Sequence, residues 1–171
     1  MKNTIIAASV VFGLFSVNAI AADGQITFTG TIDANTCTVN SGTNDLAVNL
    51  GAVPASALST VGDIAGNQAF NMALTGCAGG ATKVAAKFES LDLGSDGFLK
   101  LNAASTATNV VIGIWDQSGA PQPINGVVPA SSYVDIASGS ATLNYVAAYK
   151  ATGVAQPGTA NSQVAYTLSY Q

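Results

Sequence analysis

The last residues of the chain are Val164-Ala165-Tyr166-Thr167-Leu168-Ser169-Tyr170-Gln171, in which large apolar side chains alternate with small or polar ones. Successive side chains of a β-strand point to opposite faces, so this stretch predicts a strand with one apolar face. The same alternation recurs in segments 26–32, 70–74, 84–88 and 143–149, and shorter or more continuous apolar segments at 47–50, 98–101 and 109–115 also predict strands. Short strands repeated in this way predict an all-β sandwich.

Turn-forming residues separate these segments. Asp96-Gly97 and Asn125-Gly126 are dipeptides typical of hairpin turns, and proline with glycine interrupts the chain at 119–123 and 156–158. Residues 52–65 have no clear period, which predicts a loop with a short helical turn. No long segment after the first residues has helical periodicity, and this again favours an all-β fold.

The start of the chain has the pattern of an export signal. Lys2 provides the positive charge, an apolar run follows from Ile5 to Val17, and Ala19-Ile20-Ala21 is a small-x-small cleavage site. We predict a signal peptide at 1–21, with cleavage one residue later as the alternative. The apolar run is too short to span a bilayer well. The mature chain is therefore expected in the periplasm or in an assembly outside the cell.

Charge is scarce in this sequence. It has five Lys or Arg residues, nine Asp or Glu residues and no His, and only 8% of its residues are charged. Nucleic-acid binding and attachment to anionic membranes both need a basic surface, so both are excluded. Two interpretations of the low charge remain open: a secreted surface rich in Ser, Thr and Asn, or a surface that faces like subunits.

Two cysteines, Cys37 and Cys77, are present. In an exported protein an even pair predicts one disulfide, which in the chain-entropy model stabilises the fold by roughly 4 kcal/mol. A metal site is the weaker interpretation, because no His or nearby Cys completes a ligand set.

No residue pattern points to catalysis, so we predict that the protein is not an enzyme and needs no cofactor or metal. A Ser–His pair is impossible without His, and the acidic residues have no spacing that singles out a catalytic pair. Residues 92–97 resemble a calcium loop only faintly and are interpreted as a turn. Trp115 follows an apolar run, which favours a buried or partly buried strand position over a role in stacking on sugars.

Both ends of the mature chain are alternating strands. Residues 23–32 open it, and the strand quoted above ends it. They are either the first and last strands of an ordinary sandwich or exposed edges, and an exposed edge is a template for pairing with another chain.

The sequence resembles the type 1 fimbrial major pilin family of the chaperone–usher pathway along its whole length. The N-terminal segment with its central glycine precedes the first Cys at the family's distance, and a glycine fourteenth from the end accompanies a penultimate aromatic residue. The segments that carry the resemblance are 26–32, 34–39, 70–77, 107–116, 149–161 and Tyr170.

This resemblance implies an immunoglobulin-like sandwich, at 34–171, that lacks its final strand. An N-terminal donor-strand extension, at 22–33, would complete the next subunit of a fibre by donor-strand exchange, with its apolar side chains in pockets and its glycine where a larger side chain would not fit. These donor residues are Ile26, Phe28, Gly30 and Ile32. The strand implied to border the groove and to contact the chaperone contains Gly158, Val164, Tyr166, Leu168 and Tyr170.

The implied function is that of a structural subunit of a fimbria, or pilus, on the bacterial surface that supports cell adhesion. Its implied partners are identical or related pilin subunits, a periplasmic chaperone and an outer-membrane usher, with no nucleic acid and no membrane contact except through the usher. The alternative is a minor adaptor or tip subunit with a carbohydrate-binding role. The extension before Ile26 is short, at 22–25, and leaves the choice between rod subunit and adaptor open.

Overall fold

The structure, a computed structural model, describes residues 27, 29, 37–42, 44–94 and 96–171. The predicted signal peptide and the donor residues Ile26, Phe28, Gly30 and Ile32 lie outside the described residues. The described residues from Cys37 to Gln171 belong to one compact unit. Among them, no helix is long and apolar enough to cross a membrane.

Two antiparallel sheets pack face to face. The five-stranded sheet has the order β1-β2-β7-β5-β4, and the three-stranded sheet has the order β6-β3-β8. The strands are β1 (Thr38–Val39), β2 (Ile64–Thr75), β3 (Lys83–Glu89), β4 (Leu99–Lys100), β5 (Thr108–Asp116), β6 (Val134–Asp135), β7 (Ala141–Gln156) and β8 (Ala165–Tyr170). Single 3₁₀ turns lie at Asn40–Gly42, Ala55–Leu58 and Ala130–Ser132.

The long strand β7 is the centre of the large sheet. It pairs with β2 on one side and with β5 on the other. Its inward side chains follow a period of two, and they are Ala141, Leu143, Tyr145, Ala147, Tyr149 and Ala151. Their burial against the small sheet supplies apolar stabilisation of about 1.5–3 kcal/mol for each large side chain.

Phe88 and Tyr145 pack against each other in the core between the two sheets. Their rings meet edge to face with 5.2 Å between centroids, a favourable arrangement of the two ring quadrupoles. The Tyr145 hydroxyl accepts a hydrogen bond of 3.3 Å from the Ala86 N–H, which satisfies a polar group inside the core. Burial raises the pKa of Tyr145, so the hydroxyl stays neutral.

A disulfide joins Cys37 to Cys77, as predicted from the export signal and the cysteine count. It links the residue before β1 to the loop after β2, and the Cys77 N–H donates to the Gly139 carbonyl at 2.9 Å. The bridge therefore links Cys37 covalently to the loop that follows β2 of the large sheet.

The predicted turns and strands agree with the structure in most places. Residues 52–65 contain the expected short helical turn, and a tight turn at Asp96-Gly97 is closed by the Gly94 N–H donating to the Phe98 carbonyl at 2.8 Å. Trp115 is half-buried on a strand, as predicted, with its ring 5.8 Å from that of Phe98. Three elements differ: segment 47–50 is in no strand, and strands β1 and β6 were not predicted from the sequence.

Candidate functional site: an open groove beside the last strand

The last strand, β8, has one edge without a partner among the described residues. Its other edge pairs with β3 in continuous register from Val84↔Tyr170 to Glu89↔Ala165. Backbone N–H and C=O groups on the outer edge therefore lack a sheet partner within the described chain. Such an edge has a strong tendency to pair with another strand.

A groove of about 1710 Å³ runs beside this edge. We call residues 44–50 the first wall and residues 160–166 the second wall, which leads into β8. The floor is apolar and comes from strands of both sheets: its residues include Met72, Phe88, Ile112, Ile114, Ala147 and Tyr149. Ordinary small-molecule sites are about 300–1,000 Å³ and enclose their ligand. This groove is larger and shaped as a trough.

The side chains of the first wall alternate in exposure. Leu46, Val48 and Leu50 are half-buried, whereas Asp45, Ala47 and Asn49 are exposed. The structure assigns this wall to no strand of either sheet. The first wall therefore has the alternating exposure of a strand but belongs to no ladder among the described residues.

The apolar side chains of β8 are less covered than those of its neighbour. Val84, Ala86 and Phe88 of β3 have exposed fractions of 0%, 2% and 2%. Tyr166, Leu168 and Tyr170 of β8 also pack against the core but are only half-buried. Strand β3 has neighbours on both sides, whereas β8 has one neighbour among the described residues, which accounts for the difference in burial.

Charge at the groove is acidic. The lining includes Asp45, Glu89 and Asp92, and the described lining residues include no Lys. Lys87 lies nearby and forms an ion pair of 2.6 Å with Glu89. Burial, and then the charge of Asp45, raise the pKa of Tyr166, which keeps its hydroxyl protonated as a hydrogen-bond donor. This acidic lining disfavours an anionic ligand.

The structure brings together some of the predicted groove residues and separates others. Val164 and Tyr166 line the groove, and Leu168 and Tyr170 continue the same strand beyond it. Gly158 lies away from the groove, against the backbone of Thr106 and Ala107. The first wall and the floor were not predicted as site residues, although the alternation at 46–50 was a usable signal.

Gly158 has a packing role that predicts a measurable loss of stability. A Cβ atom at this position would lie 2.3 Å from the Ala107 nitrogen and 2.5 Å from the Thr106 carbonyl carbon, so backbone must shift. Gly158→Ala should lower the free energy of unfolding by about 1–3 kcal/mol, measured by guanidinium denaturation. Gly80→Ala is the matched control, since nothing lies within 4 Å of its added Cβ. Equal stability of the two variants would contradict this role.

Two antiparallel sheets packed as a sandwich are the architecture of an immunoglobulin-like subunit. The chain belongs to the fimbrial protein family, whose model matches residues 26–171. It is accordingly an exported structural subunit of surface fimbriae and not an enzyme.

Individual relatives agree with this assignment. The chain is 39% identical to "Major fimbrial subunit SMF-1" of Stenotrophomonas maltophilia (strain K279a), over 89% of this chain and 95% of the relative. It is 33% identical to "Type-1 fimbrial protein, A chain" of Escherichia coli (strain K12), over 100% of this chain and 99% of the relative. The crystal structure of the P pilus rod subunit PapA has the same fold, with a TM-score of 0.63, 18% identity, and coverage of 79% of this chain and 99% of that one.

Proposed function

We propose that this subunit polymerises by donor-strand exchange, in which the N-terminal segment of one copy fills the groove of the next. The observation that carries the proposal is the edge of β8 that has no partner in the part of the chain that the structure describes, beside an apolar groove. Strand addition to such an edge gives affinity through main-chain hydrogen bonds and specificity through alternating side chains. This chain has an edge on β8 that is unpaired among the described residues, and it has an alternating apolar segment at 26–32 that could add to such an edge.

The N-terminal segment suits this groove in pattern and length. Ile26, Phe28 and Ile32 alternate with threonines, so in a strand they point to one face. Residues 23–32 would extend over roughly 33 Å as a strand, longer than the first wall at roughly 23 Å. Each large side chain buried on the floor would contribute about 1.5–3 kcal/mol. Gly30 falls on the same face and would cross the floor where space is smallest.

A contact between the N-terminal segment of one copy and the groove of the next joins two different surfaces. Heterologous contacts of this kind produce open helical filaments unless the rotation closes a ring. The fibre that results would place the subunit on the cell surface and support adhesion. Segment 22–33 acts as donor extension and 34–171 as acceptor domain, after removal of a signal peptide at 1–21.

Before assembly the open edge is exposed to wrong partners. A periplasmic chaperone that covers β8 would prevent non-specific pairing, and an outer-membrane usher would exchange chaperone for subunit during export. Val164, Tyr166, Leu168 and Tyr170 are the residues we assign to this chaperone contact. Gly158 is assigned to the packing of the segment that leads into it.

Binding of a synthetic donor peptide tests this function. A fluorescent peptide with residues 22–33 is mixed with chain 22–171 at a dilution that prevents polymerisation. We expect a one-to-one complex by native mass spectrometry and a rise in fluorescence anisotropy. Hydrogen exchange should slow at those amides of Ala165–Tyr170 that point away from β3, because they gain a partner.

Two control peptides separate groove binding from general adhesion. The first carries Ile26→Thr, Phe28→Thr and Ile32→Thr, which removes the apolar face and leaves length and charge unchanged. The second carries Thr27→Ser and Thr29→Ser, which changes only the opposite face. We expect the first to fail and the second to bind as the parent does. Failure of the parent peptide, or equal binding of all three, would overturn the proposal.

A further inference from the structure

Two tyrosines of β8 form hydrogen bonds to residues that line the opposite side of the groove. The Tyr166 hydroxyl donates to the Asn44 carbonyl at 2.7 Å, and the Cys37 N–H donates to the Tyr170 hydroxyl at 2.9 Å. We infer that these spacer tyrosines hold the two sides of the empty groove one missing strand apart, so that the groove is formed before a donor strand arrives. The inference rests on the proposed function for its purpose but on separate contacts for its geometry.

The two bonds give the relative direction of the facing segments. Tyr166 lies opposite Asn44, and Tyr170, further along β8, lies opposite Cys37, earlier in the chain. The segment that leads into the first wall therefore runs antiparallel to β8. A strand placed between them would be parallel to one side and antiparallel to the other. In either orientation it would lie next to the edge of β8 that has no partner among the described residues.

The length of a tyrosine matches the width that one strand needs. An extended tyrosine side chain carries its hydroxyl about 6.5 Å from Cα by standard bond lengths. With the 2.7 Å bond, Tyr166 therefore spans at most roughly 9 Å to the Asn44 carbonyl oxygen. Neighbouring strands are about 4.8 Å apart, so one vacant strand position leaves a gap of roughly 9.6 Å. Two missing strands would be too far apart for this contact.

The spacer side chains leave the path of the donor open. Tyr166 and Tyr170 alternate with outward residues of β8 and pack against the core. Their side chains therefore point toward the core, whereas backbone pairing takes place at the outer edge of the strand. An incoming strand can add to β8 while both hydroxyl bonds remain.

The first wall depends on such bonds because no sheet ladder holds it within the described chain. Tyr166 holds it at Asn44, and the Tyr149 hydroxyl donates to the Gly51 carbonyl at 3.4 Å just after its other end. The disulfide already holds Cys37 in place, so the hydrogen bond from its N–H also holds the Tyr170 side chain. Without these contacts, apolar walls on either side of an empty groove would gain by closing together and excluding water.

Removal of the hydroxyls tests the inference without removing the rings. The variants are Tyr166→Phe and Tyr170→Phe, singly and together. Tyr133→Phe is the matched control, because its hydroxyl bonds to Ser169 of β8 at 2.8 Å but does not reach the first wall. All are made in chain 22–171, and formation of the disulfide together with an unchanged elution volume shows that each is folded.

Groove width is the first measurement. Nitroxide labels at Asn49→Cys and Gln163→Cys, exposed residues on opposite walls, report the distance between the walls by pulsed electron paramagnetic resonance. We expect a narrow distribution in the parent and in Tyr133→Phe. It should shift or broaden in Tyr166→Phe and most of all in the double variant. An unchanged distribution in the double variant would overturn the inference, whether or not any peptide binds.

The rate of donor binding is the second measurement. Loss of a preformed groove lowers the fraction of binding-competent molecules, so peptide 22–33 should associate about tenfold more slowly with Tyr166→Phe than with the parent. Tyr133→Phe should keep the parental rate. Parental rates in both spacer variants would overturn the inference while leaving donor binding intact. Failure of the parent to bind would instead overturn the proposed function, and the width measurement would still decide the spacer role.

Discussion

Cells that produce the subunit without residues 22–32 should make no fibres, although the truncated subunit accumulates in the periplasm in folded form. The reason is that the described core and the disulfide lie within residues 37–171, so folding does not need the deleted segment. The groove remains, but the molecule has lost the strand it gives to its neighbour. Electron microscopy of the cells measures the fibres, and periplasmic extracts with and without reducing agent measure the folded subunit.

Point substitutions make the same test in the full-length chain. Ile26→Thr, Phe28→Thr and Ile32→Thr together should reproduce the loss of fibres, because no apolar side chain would enter the neighbouring groove. Thr27→Ser with Thr29→Ser keeps the apolar face and should leave fibres normal in number and length. Normal fibres from the truncated subunit would show that polymerisation does not use this segment.

Loss of the disulfide should have the largest effect on stability. Cys37 and Cys77 are 40 residues apart in the sequence, and the chain-entropy model gives about 4 kcal/mol for closing such a loop. Domains are stable by only about 5–15 kcal/mol in total. Cys37→Ser should therefore lower the melting temperature markedly and reduce the yield of subunit from the periplasm. Guanidinium denaturation of the purified chain measures the change in free energy.

The matched variants are Cys77→Ser and the double substitution. If the covalent link is responsible, both single variants and the double variant should lose similar stability, and reduction of the parent should reproduce that loss. Position 37 has an additional role, because its backbone N–H donates to Tyr170. A serine there keeps that donor, so the effect of the bridge is measured separately. An unchanged melting temperature would show that the bridge does not stabilise the fold.

Particular segments show how much of the fold and of the groove could be predicted from the sequence alone. The alternation at 143–149 and 164–170 predicted strands β7 and β8, since the side-chain period is a property of local backbone geometry. Segment 47–50 has part of the same alternation, yet it forms a wall without a ladder. Its period could be read from the sequence, but the absence of a pairing partner among the described residues could not. Gly158 carried a resemblance to the family, but its close contact with Thr106 and Ala107 needed coordinates.

The sequence by itself determined which faces of the strands are apolar, which two cysteines form the bridge, and which classes of function are excluded by charge. These follow from local chemistry and composition. Only the tertiary structure decided which edge of β8 lies open and how the groove beside it is held. The spacer tyrosines meet partners 122 and 133 residues away in the sequence. Contacts at such separation depend on how the two sheets pack, and no local pattern encodes them.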